Sequence, residues 1–305
     1  MTSQTPSPRQ KLLVVGCGYT GLKVIQRVWS VDPRKDISAL VRRSSRVQEL
    51  TKHHIPTLAW DLDRPTTQET KNSLNNLMSG GVVLYSTPPP REGDSDTRMR
   101  RFLASIHEPI NRFIYLSTTG VYGDCRGAWI DEAQPVNPQN PRSVRRVDAE
   151  RQVQQWCEQN NVTWTFLRIA GIYGPGRLPM RQAKTGDTVL KANEAPYGNH
   201  IHIDDLVRCC TVLIQGDTDV NQVINVSDGE PRRSGDLRRV VAKAADLPPP
   251  MEIGIDQAHQ TFSEMRLSFA AESRRINNQR LRDLLGGVLL YPNLEIGVAK
   301  SLKEA

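Results

Sequence analysis

Residues 11–15 form a short apolar run that stops at a glycine, and residues 19–30 carry Leu22, Val24, Ile25, Val28 and Trp29 at helical spacing. This pattern predicts a strand, a tight turn and an amphipathic helix. A second apolar run over 37–41 precedes a polar stretch, 42–52, with Val47 and Leu50 three apart, which completes a βαβ unit. The alternation continues with strands over 55–60, 82–85 and 113–116 and helices over 66–78 and 96–106. A long helix over 142–160 and a sixth strand over 163–167 then predict an α/β fold built on a doubly wound parallel sheet.

Beyond Gly174-Pro175-Gly176 the periodicity weakens, and Pro179, Gly186, Pro196 and Gly198 interrupt it. Helices over 204–214 and 234–245, a strand over 223–226, a turn at Asp228-Gly229 and a stiff link at Pro248-Pro249-Pro250 are expected there. The resulting division is a disordered tail over 1–10, a Rossmann-type domain over 11–175 to which 203–228 returns, and a smaller C-terminal lobe made of 176–202 and 229–305.

Composition narrows the class. With 38% apolar and 24% charged residues, 305 residues can bury one large or two small cores without disulfide or metal staples. No run approaches the roughly 18 apolar residues a membrane span needs, and residues 1–10 are polar, so a cytoplasmic protein without a membrane partner is expected. The five cysteines form no C-x-x-C pair and no metal-ligand spacing, which reads as reduced thiols and no metal. A net charge of +7 suggests anionic partners, but the basic residues are scattered and only 6% of residues are aromatic. That combination disfavours nucleic acid and suits an anionic small molecule.

The chemistry concentrates at Gly16-Cys17-Gly18-Tyr19-Thr20-Gly21, between the first strand and the first helix. Such a turn presents backbone N–H groups and the positive end of a helix to a diphosphate. Gly16 would make the turn, Gly18 would admit the phosphates to the backbone, and Gly21 would let helix and strand pack closely. At the end of the second strand, where an acid would accept hydrogen bonds from an NAD ribose, the chain has Val41-Arg42-Arg43-Ser44. Arg42 and Arg43 can clamp a 2′-phosphate, so NADP is expected over NAD; the alternative is a pair of solvated surface arginines.

Further segments extend the glycine motif in order: Asp61-Leu62, Leu116-Ser117-Thr118-Thr119-Gly120-Val121-Tyr122-Gly123, Leu167-Arg168-Ile169-Ala170-Gly171-Ile172-Tyr173-Gly174-Pro175-Gly176 and Ile201-His202-Ile203-Asp204-Asp205. In this series the chain resembles the extended or atypical branch of the short-chain dehydrogenase/reductase superfamily, the NAD-dependent epimerase/dehydratase group, over roughly residues 11–300. The resemblance implies a Rossmann domain with a substrate lobe and an active site in the cleft between them. It also implies that Asp61 and Leu62 border the adenine, and that Thr118 hydrogen-bonds a substrate oxygen beside the nicotinamide. Thr87, in the segment after the fourth strand, is expected on the nicotinamide side, and a homodimer is plausible by analogy.

The chain departs from that family at the Tyr-x-x-x-Lys pair. Counting back from Glu150, the tyrosine position falls on Arg142 and the lysine position on Arg146. Residues four apart share a helical face, but arginine stays protonated and cannot cycle as a proton donor near neutral pH. Arg146 can instead donate to ribose hydroxyls and Arg142 can bind an anionic substrate group, or both belong to a solvated basic face with Arg145 and Arg151. Tyr122 and Tyr173 are the remaining candidates for proton transfer. His202 reads as a packed core histidine and Asp204 as a helix N-cap. Gly171 stands where nucleotide-sugar enzymes of this group carry a substrate-binding asparagine, which argues against a nucleotide-sugar.

The resulting expectation is an NADP-dependent oxidoreductase, or an epimerase or dehydratase, acting on a small polar and potentially anionic substrate. The alternative is a catalytically impaired NADP(H)-binding sensor.

Overall fold

The computed structural model describes residues 10–216 and 221–304, so the tail expected over 1–10 lies, except for Gln10, outside the described residues. The predicted alternation produces β1 (Lys11–Val15), α1 (Tyr19–Val31), β2 (Asp36–Val41), α2 (Ser44–Lys52), β3 (Thr57–Ala59), α3 (Gln68–Met78), β4 (Val82–Tyr85), α4 (Thr97–Leu103), β5 (Arg112–Thr118) and α5 (Pro141–Asn160). With strands Thr163–Ile169 and Gln222–Val226 these form a seven-stranded parallel sheet ordered Gln222–Val226, Thr163–Ile169, β5, β4, β1, β2, β3. The chain therefore reverses its direction of winding between β1 and β4. In sheets of this kind ligands bind beyond the carboxyl ends of the strands at that point.

Element limits differ from the periodicity where local chemistry intervenes. β3 is three residues rather than six, because Pro56 has no N–H for the ladder and contributes only its carbonyl, to Ala39 N at 2.9 Å. α3 and α4 begin after capping residues: Thr67 Oγ1 accepts from Thr70 N at 3.1 Å and Asp96 Oδ1 from Met99 N at 3.0 Å. α5 opens with Pro141 in its first turn while Asn140 Oδ1 accepts from Ser143 N at 2.9 Å. The helix expected from 234 starts at Asp236, because Gly235 adopts a left-handed φ of 100°. Helix Ile203–Gln215 begins one residue earlier than expected. Asp204 therefore lies in its first turn rather than at its N-cap, and its N–H donates to His202 Nδ1 at 3.2 Å.

The described residues group into two compact units. The first takes in the described residues within 1–117, 145–166 and 210–222. Its core is made by buried residues 12–15 of β1 and the fully buried β4, with Val24, Ile25 and Val28 of α1, and by the rings of Tyr85, Phe102, Phe113 and Tyr115. Ser117 is tied to α5 through its hydroxyl, which donates to buried Glu150 at 2.6 Å. The second unit takes in the described residues within 118–144, 167–209 and 223–305. It is assembled from short helices and two-stranded pairings, among them His200–His202 alongside Gly171–Tyr173. One of its clusters packs Tyr173, Ala183, Val241, Leu294 and Val298 together. No helix among the described residues is long and apolar enough to cross a membrane.

Candidate cofactor site and catalytic residues

The glycine turn closes the end of β1 in the manner its spacing requires. Gly16 has φ of 86°, and a Cβ there would lie 2.6 Å from Thr87 Oγ1 and 2.8 Å from Thr87 N, so any larger residue collides with the segment after β4. Ser86 fixes that segment: its hydroxyl donates to the Gly16 carbonyl at 2.7 Å, and its N–H donates to the Val15 carbonyl at 2.8 Å. A Cβ on Gly21 would sit 2.9 Å from Val14 Cγ1, the close helix-to-strand contact expected of the third glycine. Gly18 differs from both, since a Cβ there meets nothing nearer than the Gly16 carbonyl at 3.9 Å. The second glycine thus leaves open space above the turn.

Tyr19 and Thr20 start α1, which has no side-chain cap and no acid in its first turn. A helix end of that kind favours an anion through its exposed N–H groups and its dipole. Between the glycines, Cys17 is 3% exposed, and burial pushes its thiol up to about 11, so it is held protonated.

Two cavities flank this turn. One, of about 590 Å³, runs from Gly16 and Gly18 to Val41, Arg42, Arg43 and Arg46. The other, of about 220 Å³, is lined by Gly16, Arg42, Trp60, Asp61, Leu62 and Thr87 among others. Arg42 belongs to both. Its Nε donates to Asp61 Oδ2 at 3.2 Å, and Asp63 lies 3.9 Å from its Nη2, so part of its charge is already met by acids. Arg98 holds Asp63 through two contacts at 2.7 and 2.6 Å, which lowers the Asp63 carboxyl, and it donates to the Pro88 carbonyl at 2.9 Å. Arg46 pairs with Glu49, whereas Arg43 lies exposed just before α2. The structure brings Arg42, Arg43, Asp61, Leu62 and Thr87, all expected from the sequence, into the walls of these two cavities, together with Arg46, Trp60, Ser86 and Arg98, which the sequence reading did not name. Ser86 was detectable as the neighbour of Thr87; Arg98 reaches the site only through tertiary packing.

Thr118, the last residue of β5, is half-buried, and its Oγ1 accepts from Gly120 N at 3.2 Å, so its hydroxyl proton still has a direction to choose. Arg146 is half-buried rather than part of an exposed basic face. Its Nη1 donates to the Leu116 carbonyl at 2.8 Å and to Tyr115 Oη at 3.1 Å. Arg142 is exposed, with its guanidinium 4.5 Å from the centre of the Phe269 ring, a cation–π contact. The i, i+4 pair is therefore held by different partners.

Both tyrosine candidates are fully buried and spend their hydroxyls internally. Tyr122 donates to Asn225 Oδ1 at 2.8 Å, with Arg168 4.8 Å from its ring centre, and Tyr173 donates to the Asn293 carbonyl at 3.2 Å. Burial raises both phenols. His202 is buried, as expected of a core histidine, with its Nε2 3.1 Å from Ser301 Oγ.

Comparison with known proteins bears directly on this arrangement. The chain is 27% identical over 227 residues to protein YeeZ of Escherichia coli strain K12, covering 68% of this chain and 73% of that one. It is 35% identical to human dTDP-D-glucose 4,6-dehydratase over 92 residues, 30% of this chain and 26% of that one. A functionally unknown conserved protein from Silicibacter pomeroyi DSS superposes with a TM-score of 0.77 at 28% identity, over 96% of this chain and 98% of that one. The fold is also that of UDP-glucuronic acid 4-epimerase from Bacillus cereus, solved in complex with NAD, at a TM-score of 0.75 and 16% identity over 97% and 98% of the two chains. The model of the NAD dependent epimerase/dehydratase family matches residues 12–227, a span that holds the glycine turn, β5 and α5. The chain belongs to the NAD dependent epimerase/dehydratase family.

Proposed function

We propose that this chain is an NADP-preferring oxidoreductase, or an epimerase or dehydratase, acting on a small polar substrate in the cytoplasm. The observation that carries the cofactor preference is the cavity joining the glycine turn to Arg42, Arg43 and Arg46, with Val41 in place of an acid at the end of β2. The open space at Gly18 and the uncapped start of α1 at Tyr19 and Thr20 suit the diphosphate. Arg42 and Arg43 would hold the 2′-phosphate, while Asp61 and Leu62, with Trp60, would border the adenine. Free cysteines throughout the described residues support a reducing compartment.

When bound, the cofactor supplies a nicotinamide that gives or takes hydride. Thr118 would orient a substrate oxygen through its hydroxyl, and Arg142 would receive an anionic substrate group. Thr87 would line the nicotinamide side, and the guanidinium N–H groups of Arg146 not engaged by Leu116 and Tyr115 would meet a ribose hydroxyl. Titration with NADPH and NADH, followed by fluorescence, tests the preference. At least tenfold tighter binding of NADPH is expected, and equal affinities would reject the role given to Arg42 and Arg43.

A second reading is favoured by one observation: the hydroxyls of Tyr122 and Tyr173 are both consumed by internal hydrogen bonds. In that reading the chain senses NADP(H) without turning over a substrate. Hydride transfer to or from any member of a carbonyl and alcohol panel decides for the enzyme.

A further inference from the structure

The second unit contains a cavity of its own, of about 270 Å³, just below the roughly 300–1,000 Å³ usual for small-molecule pockets. Val189, Leu190, Leu237 and Phe262 give it an apolar lining, and Phe269 forms part of its wall while remaining 54% exposed. Two guanidiniums, Arg238 and Arg266, enter the same wall.

Both are fixed by one short segment. Asp187 meets Arg238 at 3.2 Å and Arg266 at 3.0 Å, and the Thr188 carbonyl accepts from them at 3.1 and 2.6 Å. The Arg266 guanidinium also lies 3.5 Å from the centre of the Phe262 ring. Donors held this way lose little freedom when a ligand arrives. Their charges do not cancel: two cations share one carboxylate, which leaves one positive charge beside an apolar chamber. His200, also in the wall, adds none, because burial lowers its imidazole to about 4.

Arg142 connects this chamber to the proposed chemistry. Its guanidinium stacks on Phe269, so the residue at the family's tyrosine position contacts the wall of the cavity.

We propose that this cavity binds a compact organic monoanion, a carboxylate carried on an apolar aliphatic or aromatic body. Arg238 and Arg266 hold the carboxylate, and Leu237, Phe262 and Phe269 enclose the body. Within the Arg238, Asp187 and Arg266 group one positive charge is left uncompensated, which matches a monoanion better than a phosphate dianion. That the bound acid is the substrate rests on the function proposed above, with Arg238 and Arg266 rather than Arg142 receiving its anionic group; that it binds does not.

Calorimetric titration of the full chain with phenylacetate and with phenylacetamide, without coenzyme, tests the assignment. The acid is expected to bind and the amide to bind at least tenfold more weakly. Arg238→Gln should weaken the acid at least tenfold, and Ala270→Trp, which fills the chamber without removing a guanidinium, should abolish acid binding. Both variants should retain the NADPH affinity of the unaltered chain, which confirms that they are folded. Equal binding of acid and amide, no binding of the acid at millimolar concentration, or binding that survives both substitutions would overturn the proposal. Failure of the NADPH titration with carboxylate binding intact would instead reject the cofactor reading alone; thermal unfolding would then confirm that the variants are folded.

Discussion

Arg42 and Asp61 face each other at 3.2 Å beyond the ends of β2 and β3, so the arginine proposed to receive a 2′-phosphate already has a carboxylate partner. A phosphate would have to compete with Asp61 for the same guanidinium. Arg42→Ala is therefore expected to weaken NADPH by roughly tenfold or more, in line with about 1.5–3 kcal/mol for a hydrogen bond to a charged group, while NADH changes much less. Asp61→Asn should do the opposite for NADPH by freeing the cation. Parallel titrations of both coenzymes read out the two effects.

The three glycines separate folding from binding. Gly16→Ala places a methyl at a left-handed φ and within 2.8 Å of the Thr87 backbone, so a stability loss of about 1–3 kcal/mol and loss of coenzyme binding are expected. Gly18→Ala has room in the folded chain and should leave the melting temperature nearly unchanged, yet weaken coenzyme binding by filling the approach to the turn. Thermal unfolding with and without NADPH checks both outcomes.

Tyr122→Phe removes the hydroxyl that donates to Asn225 and should cost about 1 kcal/mol of stability, as for an ordinary buried hydrogen bond. Turnover on an identified substrate should stay within a few-fold of the unaltered chain. A large drop in kcat with unchanged stability would return Tyr122 to the chemistry.

Asp228 predicts a pH dependence. It is 1% exposed, and burial pushes its carboxyl up to about 7; Glu230 pushes the same way, against Arg232 and the hydrogen bond from Glu230 N. A carboxyl raised in the folded state binds its proton more tightly there than in the unfolded chain. Its contribution to stability is complete below about pH 4 and is lost as pH rises through about 7. Asp228→Asn, which keeps the acceptor for Glu230 N, should flatten that loss and raise stability above pH 7 relative to the unaltered chain. Urea unfolding of both proteins between pH 4 and 8 measures the difference.

Much of the fold was legible because its signals are local. The apolar run at 11–15, the glycines after it and the stripe of Leu22, Val24, Ile25 and Val28 each report on a few neighbouring residues, and β1 and α1 follow from them. Pro56 was equally visible and explains why β3 is short. What could not be read was where long side chains end. Arg146 shares a helix face with Arg142 in sequence, yet one reaches the Leu116 carbonyl and the other the Phe269 ring, 127 residues further along the chain than Arg142. Arg98 and Arg266 likewise acquire their meaning from Asp63 and Asp187, partners 35 and 79 residues away. Periodicity carries no information about such distant pairings.

Cys17 gives the glycine turn a built-in reporter. Its thiol is shielded and kept in its unreactive protonated form at neutral pH, so an electrophile such as a maleimide can label it only when the turn loosens. The labelling rate at this one sulfur then measures how often the loop breathes, and any ligand that settles over the loop must slow it.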